Sequence, residues 1–307
     1  MYDLIIVGGG PAGVAAAVYA ARKRLKTALL VEEWGGQSNI SVDVQNWIGT
    51  LRVTGADLAK MLKSHVENYK SDVLEIISPA SAAALESGTE SVAVKLKDGR
   101  TLEGAALLIA SGARRRKLEV PGAAEFDQKG LTYCASCDGP LFADQDVAII
   151  GGGNAGFETA LQLLAYCKSV TLLNRSEIFR ADEITVAAVK ANPKMRILTN
   201  AEPTAVIGEQ FVAALKWKDI KTGKEDTLSV TGIFVEIGLL PNTEWLGDKL
   251  EMNAIKQIKV DPKTQRTSHP RIWAAGDATD GLFHQNNIAA GDAVKALEDI
   301  YMSLRRS

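Results

Sequence analysis

Short aliphatic runs, each closed by glycine, recur along this chain. Residues 2–7 are apolar almost throughout and predict a buried strand; Gly8-Gly-Gly10 and Pro-Ala-Gly13 follow, and residues 14–24 are alanine-rich with amphipathic helical spacing. A second aliphatic strand is predicted over residues 27–31. The phrase then returns, because Asp3-Leu-Ile-Ile-Val-Gly-Gly-Gly-Pro-Ala-Gly13 recurs as Asp146-Val-Ala-Ile-Ile-Gly-Gly-Gly-Asn-Ala-Gly156, with a helix predicted over 157–166 and a strand over 169–173. Later in each copy a turn signal, Asp98-Gly99 or Thr222-Gly223, precedes a fully apolar strand at 105–112 or 232–238.

Strand, glycine turn, helix and strand make one half of a doubly wound sheet. Two copies predict an α/β protein of two Rossmann-like, three-layer domains. The tail from Pro241 holds Ile272-Trp-Ala-Ala-Gly-Asp277 and a helical pattern over 287–304, too little for a domain of its own. It is expected to complete the first domain, at residues 1–115 and 240–307, with residues 116–239 inserted as the second. A length of 307 residues suits two domains, since single cores tend to split beyond roughly 250 residues.

Composition narrows the partners. A net charge of −2 and no long basic run give no electrostatic reason to expect nucleic acid or an acidic membrane surface. No apolar stretch reaches the roughly 18 residues of a membrane span, and no leader pattern precedes the first strand, so the expected location is the cytoplasm.

The glycines carry the first chemistry. Gly8, Gly10 and Gly13 allow a tight turn, close approach to a pyrophosphate, and helix packing on the strand; Gly151, Gly153 and Gly156 repeat the set. Glu32, at the end of the second strand, is placed to accept hydrogen bonds from ribose hydroxyls, although neighbouring Glu33 leaves the choice open. Two dinucleotide sites in one chain suit electron transfer between a flavin and a nicotinamide. Cys134-Ala-Ser-Cys137 supplies a third station, since cysteines three apart on one helical turn can close a small disulfide. Zinc would need four ligands, and only Cys167 and the scattered His65, His269 and His284 remain. Cys167, late on an apolar helix, reads as a core residue. Asp138 is either an acid and base for the thiols or part of the turn in Asp138-Gly139-Pro140.

Tyr133-Cys-Ala-Ser-Cys-Asp-Gly-Pro-Leu-Phe142, Trp34-Gly-Gly-Gln37 and Ala274-Ala-Gly-Asp277 resemble the low-molecular-weight thioredoxin reductases over the whole chain. Gly232-Ile-Phe-Val-Glu-Ile-Gly-Leu-Leu-Pro-Asn242 is similar to the flavoprotein subunit of alkyl hydroperoxide reductase. That subunit has an N-terminal thioredoxin-like region not among these 307 residues, so its peroxiredoxin-specific role is not carried over. The resemblance implies FAD on the first domain, with Gly8, Gly10, Gly13, Gly36, Gln37, Asn46, Gly276, Asp277 and Gln285 as contacts, and NAD(P)H on the second. It further implies that Cys137 faces the flavin, that Cys134 attacks the disulfide of a thioredoxin or thioredoxin-like protein, that Asp138 is the acid, and that the protein is a homodimer whose inserted domain rotates between two electron-transfer positions.

Three departures matter. The family's His-Arg-Arg-x-x-x-Arg grip on the 2′-phosphate of NADPH reads Asn174-Arg-Ser-Glu-Ile-Phe-Arg180, keeping Arg175 and Arg180 but losing one arginine. Gly156 stands where NADPH-using relatives often have alanine, which leans towards NADH. The arginines are weighted more, because they act on the phosphate directly and no carboxylate occupies residues 173–176. His284 takes the place of an arginine beside Gln285, without an assigned role. The expected activity is therefore reduction of a protein disulfide by NADPH, or by NADH, through FAD and Cys134/Cys137. A ferredoxin-fed reductase and a nucleotide-binding redox sensor are the alternatives.

Overall fold

The computed structural model describes residues 1–40, 44, 46–133 and 135–306. The chain falls into two compact units, Met1–Arg114 with Leu240–Ser307, and Arg115–Leu239. The first contains β1 (Tyr2–Gly9), α1 (Pro11–Arg22), β2 (Thr27–Trp34), α2 (Gly55–Glu67), β3 (Leu74–Ile77), β4 (Ala82–Ser87), β5 (Val92–Leu96) and β6 (Thr101–Ile109), and the chain leaves it through β7 (Ala113–Arg115). The second contains β8 (Leu131–Thr132), α3 (Ala135–Asp138), β9 (Asp146–Ile150), α4 (Asn154–Leu164), β10 (Ser169–Asn174), α5 (Glu183–Lys190), β11 (Met195–Thr199), β12 (Ala201–Gly208), β13 (Val212–Asp219), β14 (Glu225–Ser229) and β15 (Gly232–Val235). The chain returns through β16 (Leu239–Pro241) to add β17 (Ile272–Ala274) and α6 (Asn286–Arg306).

Each unit is a doubly wound α/β domain. In the first, five strands run parallel in the order β3-β2-β1-β6-β17, and the β4–β5 hairpin adds antiparallel to the opening half of β6. In the second, five parallel strands run β11-β10-β9-β15-β8, and β12-β13-β14 form a separate antiparallel sheet. The orders correspond strand for strand. In each, the order reverses beside the strand that precedes the glycine turn, between β1 and β6 or between β9 and β15, and ligands of open α/β sheets bind at the carboxyl ends of such strands.

The buried runs explain the sheets. Leu4, Ile5 and Ile6 are wholly buried, as expected of a parallel strand covered on both faces. Alternation still sorts them: Leu4 and Ile6 join the core beneath α1 and α6, while Ile5 and Val7 face the core of the β4–β5 hairpin. Ala16, Ala17 and Ala20 of α1 share that first core with Ala293, Ala296 and Leu297 of α6, and the small side chains let the helices pack closely.

Two sequence expectations need correction. Both motif helices begin three residues earlier than their apolar spacing suggested, at Pro11 and Asn154, because Pro-Ala-Gly13 and Asn-Ala-Gly156 are first helical turns; proline is tolerated there because that N–H has no intrahelical partner. Gly223, with φ +75°, does turn a hairpin, but the strand after it is polar β14. Only Leu228 of β14 is buried, because β14 lies at a sheet edge, and the apolar strand β15 belongs to the parallel sheet. The turn at Gly99, φ +90°, joins β5 directly to β6, which runs from Thr101 to Ile109 where the apolar run predicts a strand at 105–112. Among the described residues no helix is long and apolar enough to cross a membrane.

Candidate functional site

The first glycine turn is shaped by backbone contacts. Gly8 turns at φ +130°, and a Cβ on it would stand 2.1 Å from the carbonyl oxygen of Ala110. One on Gly13 would stand 1.8 Å from the carbonyl oxygen of Gly8, so only glycine lets α1 start this close to β1. Gly10 differs: a Cβ there would meet nothing nearer than the Cα of Gly36, at 3.9 Å. Gly10 is also the N-cap of α1 and supplies no capping side chain, so the gap lies before free N–H groups at the positive end of a helix dipole. A Cβ would fill this cradle, and a diphosphate fits it.

Long-range hydrogen bonds close a ring about it. Gln37 Nε2 donates to Asp277 Oδ2 at 3.0 Å, Ser38 Oγ to Asn286 Oδ1 at 2.8 Å, and Asn46 Nδ2 to Gln285 Oε1 at 2.9 Å. A Cβ on Gly276 would come within 3.5 Å of the Cβ of Ala12, which ties the end of β17 to α1. Gly10, Gly36, Gln37, Asn46, Gly276, Asp277 and Gln285 are thereby brought together. Glu32 stays outside these bonds, exposed and 3.4 Å from Lys97 Nζ, while Glu33 accepts a 2.9 Å bond from Asn39 Nδ2. His284 joins the ring, with Nδ1 3.4 Å from Asp277 Oδ1 and Nε2 3.5 Å from Gln257 Nε2. Its bond with Asp277 raises the imidazole pKa, against the opposing effect of burial.

The second turn repeats the first. Gly151 turns at φ +124°, with a Cβ position 2.1 Å from the carbonyl oxygen of Glu236, and a Cβ on Gly156 would stand 1.9 Å from the carbonyl oxygen of Gly151. Gly153, the N-cap of α4, again has open space, its nearest neighbour being the carbonyl oxygen of Arg180 at 3.7 Å. The loop after β10 is held to the turn by Arg180 N–H, which donates to the carbonyl oxygen of Gly152 at 3.1 Å. Arg175 leaves this loop to meet Glu202 Oε1 at 3.1 Å. Glu236 was not singled out from the sequence: it accepts a 3.0 Å bond from Thr159 Oγ1, lies 3.6 Å from Arg115, and burial raises its pKa. The signal was a charged residue at the end of an otherwise apolar strand.

Cys137 and Asp138 lie on the single-turn helix α3 of the second unit; Cys134 and the side chain of Cys137 lie outside the described residues. The Thr132 hydroxyl donates a hydrogen bond to Asp138, which fixes that carboxylate at the end of β8. Cys167 is wholly buried, and desolvation pushes its thiol up to about 11.

Known proteins are similar to this chain in sequence and fold. The family model described as pyridine nucleotide-disulphide oxidoreductase matches residues 2–293. An alkyl hydroperoxide reductase subunit of Staphylococcus aureus strain NCTC 8325 is 40% identical over 295 residues, 96% of this chain and 57% of that protein. A Bacillus subtilis strain 168 protein named NADH dehydrogenase is 39% identical with the same coverage, so the chain spans little more than half the length of these relatives. Among solved structures, Lactococcus lactis thioredoxin reductase superposes with a TM-score of 0.82 at 31% identity over 100% of both chains. The T. acidophilum thioredoxin reductase gives 0.78 at 33% over 98% of both. The resemblance read from Tyr133 to Phe142 thus extends to the fold, and the chain belongs to the pyridine nucleotide-disulphide oxidoreductase family, an oxidoreductase with the two Rossmann-like domains of the thioredoxin reductases.

Proposed function

We propose that this protein is a flavin-dependent disulfide reductase, taking electrons from NADPH, with NADH as the competing donor, and delivering them to thioredoxin or a thioredoxin-like protein. The observation that carries the reading is the pair of equivalent open cradles at Gly10 and Gly153, each at a helix start and at a topological switch point, in a chain whose second unit also bears Cys137 and Asp138. FAD suits the first cradle, where Gly36, Gln37, Asn46, Gly276, Asp277 and Gln285 gather around Gly8, Gly10 and Gly13; Glu32 is the ribose acceptor, since its exposed contact with Lys97 is long, at 3.4 Å, whereas Asn39 holds Glu33 at 2.9 Å. The pyridine nucleotide suits the second, at Gly151, Gly153 and Gly156, with Arg175 and Arg180 beside it.

When bound, FAD would take an electron pair from the nucleotide and pass it to the Cys134–Cys137 disulfide. The chain's own residues do the rest. The Cys134 thiolate attacks one sulfur of the partner's disulfide, the other sulfur leaves as a thiolate, and Cys137 then attacks Cys134 to re-form the intramolecular disulfide and release the reduced partner. Asp138, held by Thr132, takes the proton of the Cys134 thiol as it attacks and gives it to the leaving thiolate, and the proton of the Cys137 thiol ends on the second sulfur of the partner. We place the enzyme in the cytoplasm as a homodimer.

The B. subtilis relative's name favours NADH as the competing donor. Anaerobic stopped-flow mixing with NADPH, NADH or reduced ferredoxin, followed by flavin absorbance, tests the assignment. Rapid bleaching by NADPH and slower bleaching by NADH is the expected result. Bleaching by ferredoxin alone would replace the nucleotide reading.

A further inference from the structure

The internal repeat assigns a counterpart to every residue at the end of β10. Val7 pairs with Leu30, and Ile150, which occupies the place of Val7 before the second glycine turn, pairs with Leu173. Leu173 is therefore the counterpart of Leu30, Asn174 of Val31, and Arg175 of Glu32. A second contact agrees: a Cβ on Gly9 would stand 2.4 Å from Val31 Cγ1, and one on Gly152 would stand 2.6 Å from Asn174 Cγ. Where the first unit presents a carboxylate, suited to ribose hydroxyls, the second presents a guanidinium, suited to a 2′-phosphate.

Arg175 does not stand alone there. Glu202, on the neighbouring strand β12, lies 3.1 Å from its guanidinium, and both side chains reach solvent. Glu177, two residues on from Arg175, is engaged by Lys221 and Asn200. Asn174 Nδ2 donates to the carbonyl oxygens of Ser176 at 2.8 Å and Ile178 at 3.1 Å, which pins the loop from which Arg175 projects. We propose that Glu202 is a specificity-determining residue of the second unit: by competing for Arg175 it weakens the preference for a 2′-phosphorylated nucleotide and keeps NADH usable. This rests on the reading that the second unit takes a pyridine nucleotide.

Two effects of Glu202 oppose each other. It orients Arg175, which helps phosphate binding, but an exposed ion pair is worth a factor of about five at most. It also occupies guanidinium donors and repels a phosphate carrying about −1.5 to −2 charges. The loop already orients the arginine through Asn174, so the second effect wins.

The test is Glu202→Gln, which keeps the shape and can still accept a bond from Arg175, with calorimetric titration of 2′,5′-ADP and of ADP. The variant is expected to bind 2′,5′-ADP about two- to fivefold more tightly, with ADP within about twofold, and its kcat/KM ratio of NADPH to NADH should rise by the same factor. In an Arg175→Ala background the substitution should change 2′,5′-ADP affinity by less than half as much. Unchanged or weaker 2′,5′-ADP binding by Glu202→Gln, with ADP still bound, would overturn the role of Glu202 alone. Failure of wild type and variant to bind either compound would remove the nucleotide site, and the proposal with it.

Discussion

His284 and Asp277 form a half-buried pair, Nδ1 to Oδ1 at 3.4 Å, in the ring that surrounds the first glycine turn. The second oxygen of Asp277 accepts from Gln37, and the far nitrogen of His284 faces Gln257, so the pair links β17's end to two separate loops. This gives His284 the role that its position in the sequence left open.

The pair has a pH signature. The folded pKa of His284 is raised by Asp277 above the unfolded value of about 6.5. Its contribution is therefore complete below about pH 6.5 and is lost as pH rises through the folded value. His284→Gln should lower stability by about 1 kcal/mol near pH 6, and by clearly less near pH 9. Urea unfolding of both proteins at the two pH values checks this; an equal deficit at both would show that charge is not involved.

The glycine contacts separate packing from binding. Gly13→Ala would press a methyl against the Gly8 carbonyl oxygen, a backbone atom that cannot turn aside, and should destabilise the first unit by about 1–3 kcal/mol. Gly10→Ala meets open space and should fold normally, yet lose FAD affinity because its methyl occupies the cradle. Thermal melting and FAD retention on gel filtration, read together, test the difference. A Gly10→Ala protein that keeps its yellow colour as firmly as wild type would refute the cradle.

Cys137→Ser should leave nucleotide-to-flavin reduction intact while abolishing turnover of a protein disulfide, because only the second process needs a thiolate. Stopped-flow bleaching and steady-state insulin-coupled thioredoxin reduction report the two halves separately. Appreciable steady-state turnover by the variant would remove Cys137 from the electron path.

Cys167 should be inert in the folded protein. With its thiol pushed up to about 11 by burial, about one molecule in a thousand would carry the thiolate at pH 8 even if reagent could reach it. Titration of the reduced protein with a chromogenic disulfide should show two fast thiols, and a third only after denaturant. Three fast thiols would contradict the buried assignment.

Arg180 has no ion pair among the described residues, whereas Arg175 is partly spent on Glu202. Arg180→Ala should therefore cost more NADPH efficiency than Arg175→Ala, roughly ten- to a hundredfold and mainly in KM. Steady-state kinetics with NADPH and NADH on both variants decide it, and an equal loss with both nucleotides would mean that neither arginine reads the phosphate.

The duplicated glycine turns, the parallel strands and the Cys-x-x-Cys-Asp element were legible in the sequence by itself, because each depends on residues close together in the chain. A strand buried on both faces must be continuously apolar, and a turn that meets a diphosphate must lack side chains; both requirements are written locally. The long-range relationships were decided only by tertiary structure. Nothing near Arg175 announces Glu202, since the two meet only when β12 runs past the end of β10, and the equivalence of Arg175 with Glu32 rests on strand register. His284 lies seven positions from Asp277, yet its other partners, and those of Asp277, come from residues 37 and 257, which only the packing of the sheet ends brings within hydrogen-bond reach. Such pairs depend on three-dimensional separation, which local periodicity does not encode.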